Sequence, residues 1–197
     1  MAIKPTGGRR SRIVQSGEAA HIFRVFGPSR GRVLDIGCGA FPFHPLGDAH
    51  EIIGIDQDKE EFTRCDFSYG KLPFPDKSFD AITAWEVFEH LENPFFAMRE
   101  VRRILKPGGR FFMSVPNPAH IWSRIFFLLY GDLPRWRRRN DHIFVPLPAI
   151  IRKTFGKKFR LIALIYALPS LFGFLLPFSA SKHTGLNAVW VFEKRDE

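Results

Sequence analysis

The sequence predicts an α/β protein built on a mostly parallel sheet, and three observations carry that prediction. Two short apolar runs, Val33-Leu34-Asp35-Ile36 and Glu51-Ile52-Ile53-Gly54-Ile55-Asp56, lack the strict alternation of a half-solvated sheet and suit strands covered on both faces. The first runs straight into Gly37-Cys38-Gly39, where two glycines permit a sharp turn and a close approach of some other group to the backbone. Segments of helical period then alternate with further apolar runs along the chain.

A chain of 197 residues fits one domain with embellishments rather than two. Its 45% hydrophobic and 25% charged residues exclude a disordered protein, and 22 phenylalanines suggest extra apolar surface. A net charge of +9 implies attraction to polyanions, either nucleic acid or an anionic bilayer. The two cysteines, Cys38 and Cys65, have no metal-ligand spacing with histidines, so they read as free thiols in a reducing cytoplasm and no metal is expected. Residues 1–14 are basic, with Arg9, Arg10 and Arg12, but lack the apolar core of a secretory signal. They read as a flexible arm ahead of a single domain at 15–197.

The elements follow in order. From Gln15 to Phe26, apolar Ala19, Ile22, Phe23 and Phe26 recur at helical spacing, and Gly27-Pro28 closes the segment. Between Gly39 and Glu51, Pro42, Pro45 and Gly47 leave little room for a helix, and Gln57 to Thr63 is too short for much of one, so one sheet face is expected to be thinly covered. Arg64-Cys65-Asp66 reads as the end of a third strand. Turn chemistry from Pro73 to Lys77 precedes a fourth, Ser78 to Trp85. Asn93-Pro94 opens a helix whose stripe carries Phe95, Met98, Val101 and Leu105. Lys106-Pro107-Gly108-Gly109 stops it, and Arg110 to Pro116 is the fifth strand. Ile121 to Tyr130 is apolar almost all round, and Arg135-Trp136-Arg137-Arg138-Arg139 follows; such a pair is typical of an interfacial anchor. Pro148 to Phe155 is a further helix, ended at Gly156. The uncharged stretch from Leu161 to Ser181 is long enough to span a membrane, but Pro169, Gly173 and Pro177 interrupt it. It reads instead as a sixth strand, Phe159 to Tyr166, and a loop to a last, antiparallel strand, Leu186 to Phe192.

The glycine turn, the acids Asp35, Asp56 and Asp66, and the segment Leu72-Pro73-Phe74-Pro75-Asp76-Lys77-Ser78-Phe79-Asp80 together resemble the class I S-adenosylmethionine-dependent methyltransferases, in particular their small-molecule type 11 branch. The resemblance covers Arg32 to Pro116 well and the rest loosely. A dinucleotide fingerprint would need a third glycine where Pro42 stands, which weighs against NAD or FAD. The resemblance implies a Rossmann-like, mostly parallel seven-stranded sheet with an antiparallel last strand and some helices shortened. It also implies S-adenosyl-L-methionine as the cofactor. Carried over residue by residue, Asp35, Gly37, Cys38 and Gly39 would hold the methionine part, and Asp56 the ribose hydroxyls. Gln57 would meet the ribose or adenine edge, Asp66 with Phe67 the adenine, and Trp85 with Glu86 would line the methyl end. The family often has a glycine where Phe41 stands. His90, and second His142, are the candidate catalytic bases should the acceptor need one, with Asp141 beside the latter.

Apolar and basic insertions at 117–140 and 167–185 leave the sheet at the edge where the cofactor would bind. They point to a small or lipid-like acceptor, with peripheral contact to the inner face of a membrane through 121–139 and 161–181. The rival readings are an RNA methyltransferase using the arginine clusters and a non-catalytic membrane-associated protein that keeps the fold. Against a nucleic-acid acceptor, Trp85-Glu86-Val87-Phe88 stands where base amino methyltransferases carry an Asn/Asp-Pro-Pro-aromatic motif. The sequence names neither the atom methylated nor the oligomeric state.

Overall fold

A computed structural model describes residues 17–39, 50–56, 63–64, 67–138, 141–167 and 181–196. Seven strands form one sheet in the order β3-β2-β1-β4-β5-β7-β6. They are β1 (Gly31–Ile36), β2 (His50–Asp56), β3 (Thr63–Arg64), β4 (Phe79–Trp85), β5 (Leu105–Pro116), β6 (Phe159–Ala167) and β7 (Asn187–Lys194). β1 to β5 run parallel, and β7 lies antiparallel between β5 and β6. The seven-stranded sheet with an antiparallel last strand is thus as expected. The order reverses between β1 and β4, and in open sheets of this kind the crevice at such a switch point, outside the carboxyl ends of the strands, takes the ligand.

β5 starts earlier than expected. Leu105 pairs with Phe79 where the preceding helix ends, and the next pairing is Arg110 with Ala81. The four residues Lys106 to Gly109 are therefore looped out of the ladder, with Gly108 at φ +70° making the bend. The predicted turn exists, inserted within the strand.

The helices are α1 (Glu18–Phe26), α2 (Pro94–Ile104), α3 (Ile121–Tyr130) and α4 (Pro148–Phe155), with a single 3₁₀ turn at Phe88–His90. Asn93 caps α2, its Oδ1 accepting the Phe96 amide at 3.0 Å, and Pro94 fills the first turn where no donor is needed. α2 and α4 cover one face, burying Met98, Val101, Ile151 and Phe155 with Leu34, Ile82, Phe111 and Trp190. On the other face, among the described residues, α1 alone contributes helical core, with Phe23 packed 4.9 Å from Phe112. Ile52, Ile162 and Ile165 on that face are only half-buried, in keeping with the thin cover expected there. The shortened connections at 40–49 and 57–62 lie outside the described residues.

The turn before β4 is stapled from α2. Arg103 donates to the carbonyls of Leu72 and Phe74 and to Asp76, while Glu100 pairs with Arg103 and accepts the Leu72 amide. No helix among the described residues is long and apolar enough to cross a membrane.

Candidate functional site

The glycine turn sits at the carboxyl end of β1. Gly37 and Gly39 both adopt left-handed conformations, φ +67° and +62°, which side-chain-bearing residues rarely take. A Cβ on Gly37 would also stand 2.5 Å from Val87 Cγ2, so the turn packs directly against the segment that follows β4. The amides of Gly37 and Cys38 both donate to the Ile55 carbonyl, tying the turn to β2. Gly39 donates to the Asp56 carboxylate at 2.8 Å. A Cβ there would meet nothing within 4 Å among the described residues, so this side of the loop is open to them.

Of the predicted cofactor residues, the structure brings Asp35, Gly37, Cys38, Gly39 and Asp56 together at one edge. Asp35 is buried in β1, opposite Thr83 of β4, whose hydroxyl donates to it at 2.6 Å. Burial, followed by the charges of Asp35 and Asp56, pushes the Cys38 thiol up to about 12. Phe67 is buried in the core beneath α2. Trp85 is 5% exposed and packs with Phe112 on the α1 face, so core packing accounts for its position. Gln57 and Asp66 lie outside the described residues. An open-sided glycine turn tethered to a strand-end carboxylate fits S-adenosyl-L-methionine: the turn would admit close approach, and Asp56 is the carboxylate that would meet the ribose.

Glu86 leaves β4 with φ +57°, a costly conformation for a residue with a Cβ. Its amide donates to the carbonyl of Ser114 at 3.1 Å and to its hydroxyl at 3.0 Å. Its carboxylate accepts from Asn187 at 2.8 Å and from Arg135 at 3.3 Å, and Arg135 in turn donates to Asn187 at 2.9 Å. This three-residue link joins the ends of β4 and β7 to the loop after α3. Sequence reading missed Arg135 and Asn187 as partners because they lie 49 and 101 residues from Glu86.

The predicted bases meet. His90 and His142 stand edge to face with ring centres 4.7 Å apart, and Asp141 lies 3.4 Å from His90 Nδ1. Burial, then the neighbouring His90 and Arg135, push the His142 imidazole down to about 4. Between them sits a residue the sequence reading passed over. Glu89 is fully buried, and its desolvation, opposed by a backbone hydrogen bond, holds its carboxyl well above the ordinary glutamate range. An acid inside the apolar run Val87-Phe88-Glu89 was the available signal.

α3 is exposed along most of its length, Leu128 by 84%, and Ser123 is its only buried residue. Its start is held by the Ile121 amide on the His183 carbonyl, and the loop after it by Arg135 on Glu86. Residues 168–180 lie outside the described residues.

Residues 34–113 match the family described as a methyltransferase domain. An uncharacterized methyltransferase of Bacillus subtilis, YcgJ, is 39% identical over 53% of this chain and 60% of its own length. A fatty-acid O-methyltransferase of Mycolicibacterium smegmatis is 32% identical over 62% of this chain and 37% of its own. The chain spans about two fifths of the length of several other curated relatives. The crystal structure of a SAM-dependent methyltransferase from Archaeoglobus fulgidus superposes with a TM-score of 0.68 at 19% identity, covering 95% of this chain and 96% of that one; this likeness is one of fold. From Leu34 to Met113 the chain is similar to methyltransferase domains, and family likeness and fold together imply S-adenosyl-L-methionine as the cofactor.

Proposed function

We propose that the chain is an S-adenosylmethionine-dependent methyltransferase acting on a lipid-like acceptor that it meets at an anionic bilayer surface. The observation that carries this reading is the exposed apolar helix α3, tied at both ends to the edge of the sheet that holds the glycine turn. Leaving Trp122, Phe127, Leu128, Leu129 and Tyr130 in water serves no folding purpose, and exposed apolar surface beside basic residues suits a bilayer interface. Arg124, Arg137 and Arg138 are exposed beside it, and Arg137 stacks over the Phe126 ring at 5.2 Å. The relative that acts on a fatty acid supports the same acceptor class.

In this reading Asp56 takes the ribose hydroxyls, Gly37 to Gly39 admit the methionine part, and Asp35 with Thr83 fixes the floor of the turn. The sulfonium methyl is already activated, so the protein's task is alignment and exclusion of water. The site at Glu89, His90 and His142 lies on the acceptor side, two residues beyond Val87, which touches the turn.

The test is flotation of the full chain with vesicles containing anionic phospholipid, followed by labelled-methyl transfer to a lipid extract and, separately, to total RNA. The expected result is co-flotation that persists in high salt, is lost in Leu128→Glu, and is accompanied by label in the lipid. Label in RNA, with steeply salt-dependent binding, would replace this reading with a nucleic-acid acceptor.

A further inference from the structure

We infer that Glu89, His90 and His142 form a binding site for one divalent transition-metal ion. One ligand atom from each lies within 4.8 Å of the others, and the fold brings them together across the 51 residues between His90 and His142. Two donors on one tetrahedral ion, at bonds of about 2.0–2.2 Å, stand roughly 3.4 Å apart. The cluster would close by up to about 1.4 Å on binding, and His90, whose side chain is 34% exposed, is the ligand with room to turn.

The decisive feature is Glu89. Both its carboxylate oxygens are buried, and among the described residues neither accepts a hydrogen bond from another residue. His142 Nδ1 is likewise buried without a hydrogen-bond partner. A buried carboxylate held by no more than its own backbone amide and the charge of Arg135 costs several kcal/mol, and such groups are normally found paired or coordinating a cation. Acceptors gathered within 4.8 Å of one another are what a cation can satisfy.

The surroundings are built to hold these ligands. The amides of Ile143 and Phe144 both donate to the Glu89 carbonyl, at 2.8 and 3.0 Å, which fixes the segment bearing His142 against the segment bearing Glu89. Trp136 closes the outer side, its indole N–H on the Phe144 carbonyl at 2.9 Å and its ring 5.7 Å from that of His142. Asp141 stands beside His90 Nδ1 as an outer partner that orients a ligating imidazole. Glu86, held by Arg135 and Asn187, forms the neighbouring wall.

Two imidazoles and one carboxylate select borderline ions such as Zn²⁺, Co²⁺ or Fe²⁺ over Mg²⁺ and Ca²⁺, which prefer all-oxygen sets. Three protein ligands leave a coordination position open, as catalytic metal sites do. Its use in holding an oxygen of the acceptor rests on the methyltransferase reading above; the binding of the ion does not.

The test uses untagged full chain stripped with chelator and titrated with Co²⁺, read by visible absorption, and with Zn²⁺, read by metal analysis after dialysis. One ion per chain is expected, unaffected by excess Mg²⁺. Glu89→Gln and His142→Ala lower the affinity by at least tenfold, Asp141→Asn lowers it roughly tenfold, and the remote His120→Ala leaves it unchanged. Binding of S-adenosylhomocysteine by each variant serves as the folding control and separates loss of the metal site from loss of the cofactor site. If Glu89→Gln disrupts folding, the wild-type spectrum and His90→Asn decide. Absence of bound metal in the wild-type chain, or undiminished Co²⁺ affinity in a folded Glu89→Gln or His90→Asn, overturns the proposal and leaves Glu89 a neutral acid of the core.

Discussion

The backbone amide of Gly39 donates to the carboxylate of Asp56 at 2.8 Å, joining the turn after β1 to the last residue of β2. One carboxylate thereby shapes the loop, and in the proposed reading it also takes the ribose hydroxyls. A change at Asp56 would then alter the loop and the ligand contacts together.

The two glycines of the turn differ in what surrounds them. Gly39→Ala meets no described residue and carries the left-handed backbone cost, about 1–2 kcal/mol. Gly37→Ala adds a 2.5 Å collision with Val87, so its loss of stability exceeds that of Gly39→Ala by about 1–3 kcal/mol. Chemical denaturation measures both, and the Gly37→Ala, Val87→Ala double variant recovers the collision but not the backbone cost. Equal losses for the two single variants would show that Val87 yields freely.

Cys38 is protonated and sheltered, its thiol pushed up to about 12 by burial and by the charges of Asp35 and Asp56. In a Cys65→Ser background, alkylation of the native chain at mildly alkaline pH should run slower than in the denatured chain by on the order of a hundredfold or more. Native and denatured rates that agree would place the thiol in a different environment.

Burial alone would raise the Glu100 carboxyl, but its hydrogen bonds from Arg103 and Leu72, with the Arg103 charge, hold it below the ordinary glutamate range. The folded chain then binds this proton more weakly than the unfolded chain. The stabilisation is present above the ordinary glutamate pKa and lost as pH falls through that range and below it. Arg103→Met should cost roughly 3 kcal/mol near neutral pH, measured by denaturant unfolding. The difference between variant and wild type should narrow in acid; a difference independent of pH would remove the pair from the account.

Much of the fold was legible because it is written in local patterns. The helices at Ile121–Tyr130 and Pro148–Phe155 follow from apolar runs bounded by Gly131 and by Pro148 with Gly156. The strand ends at Ile36, Asp56 and Trp85 follow from apolar stretches that stop at turn residues or acids. The candidate site was legible only where one short segment carries it, as at Gly37 to Gly39. Trp85 illustrates the limit: its position at a strand end suggested a ligand contact, but alternation along β4 turns its ring into the α1 face. Glu89 shows the converse. A lone acid in an apolar run looks like an error of pattern until the fold sets His142 beside it, and no spacing rule spans those 52 intervening residues. The Glu86, Arg135 and Asn187 link is hidden for the same reason, since it joins three distant segments.

The most direct test of the central claim is titration calorimetry of the full chain with S-adenosyl-L-methionine and S-adenosylhomocysteine. One site per chain is expected, with affinity lowered about ten- to a hundredfold in Asp56→Ala, as for losing charge-assisted hydrogen bonds of about 1.5–3 kcal/mol. Leu128→Ser, on the exposed helix, should bind the cofactor as the wild type does. No heat of binding from the folded wild-type chain, or an Asp56→Ala variant that binds undiminished, would contradict it.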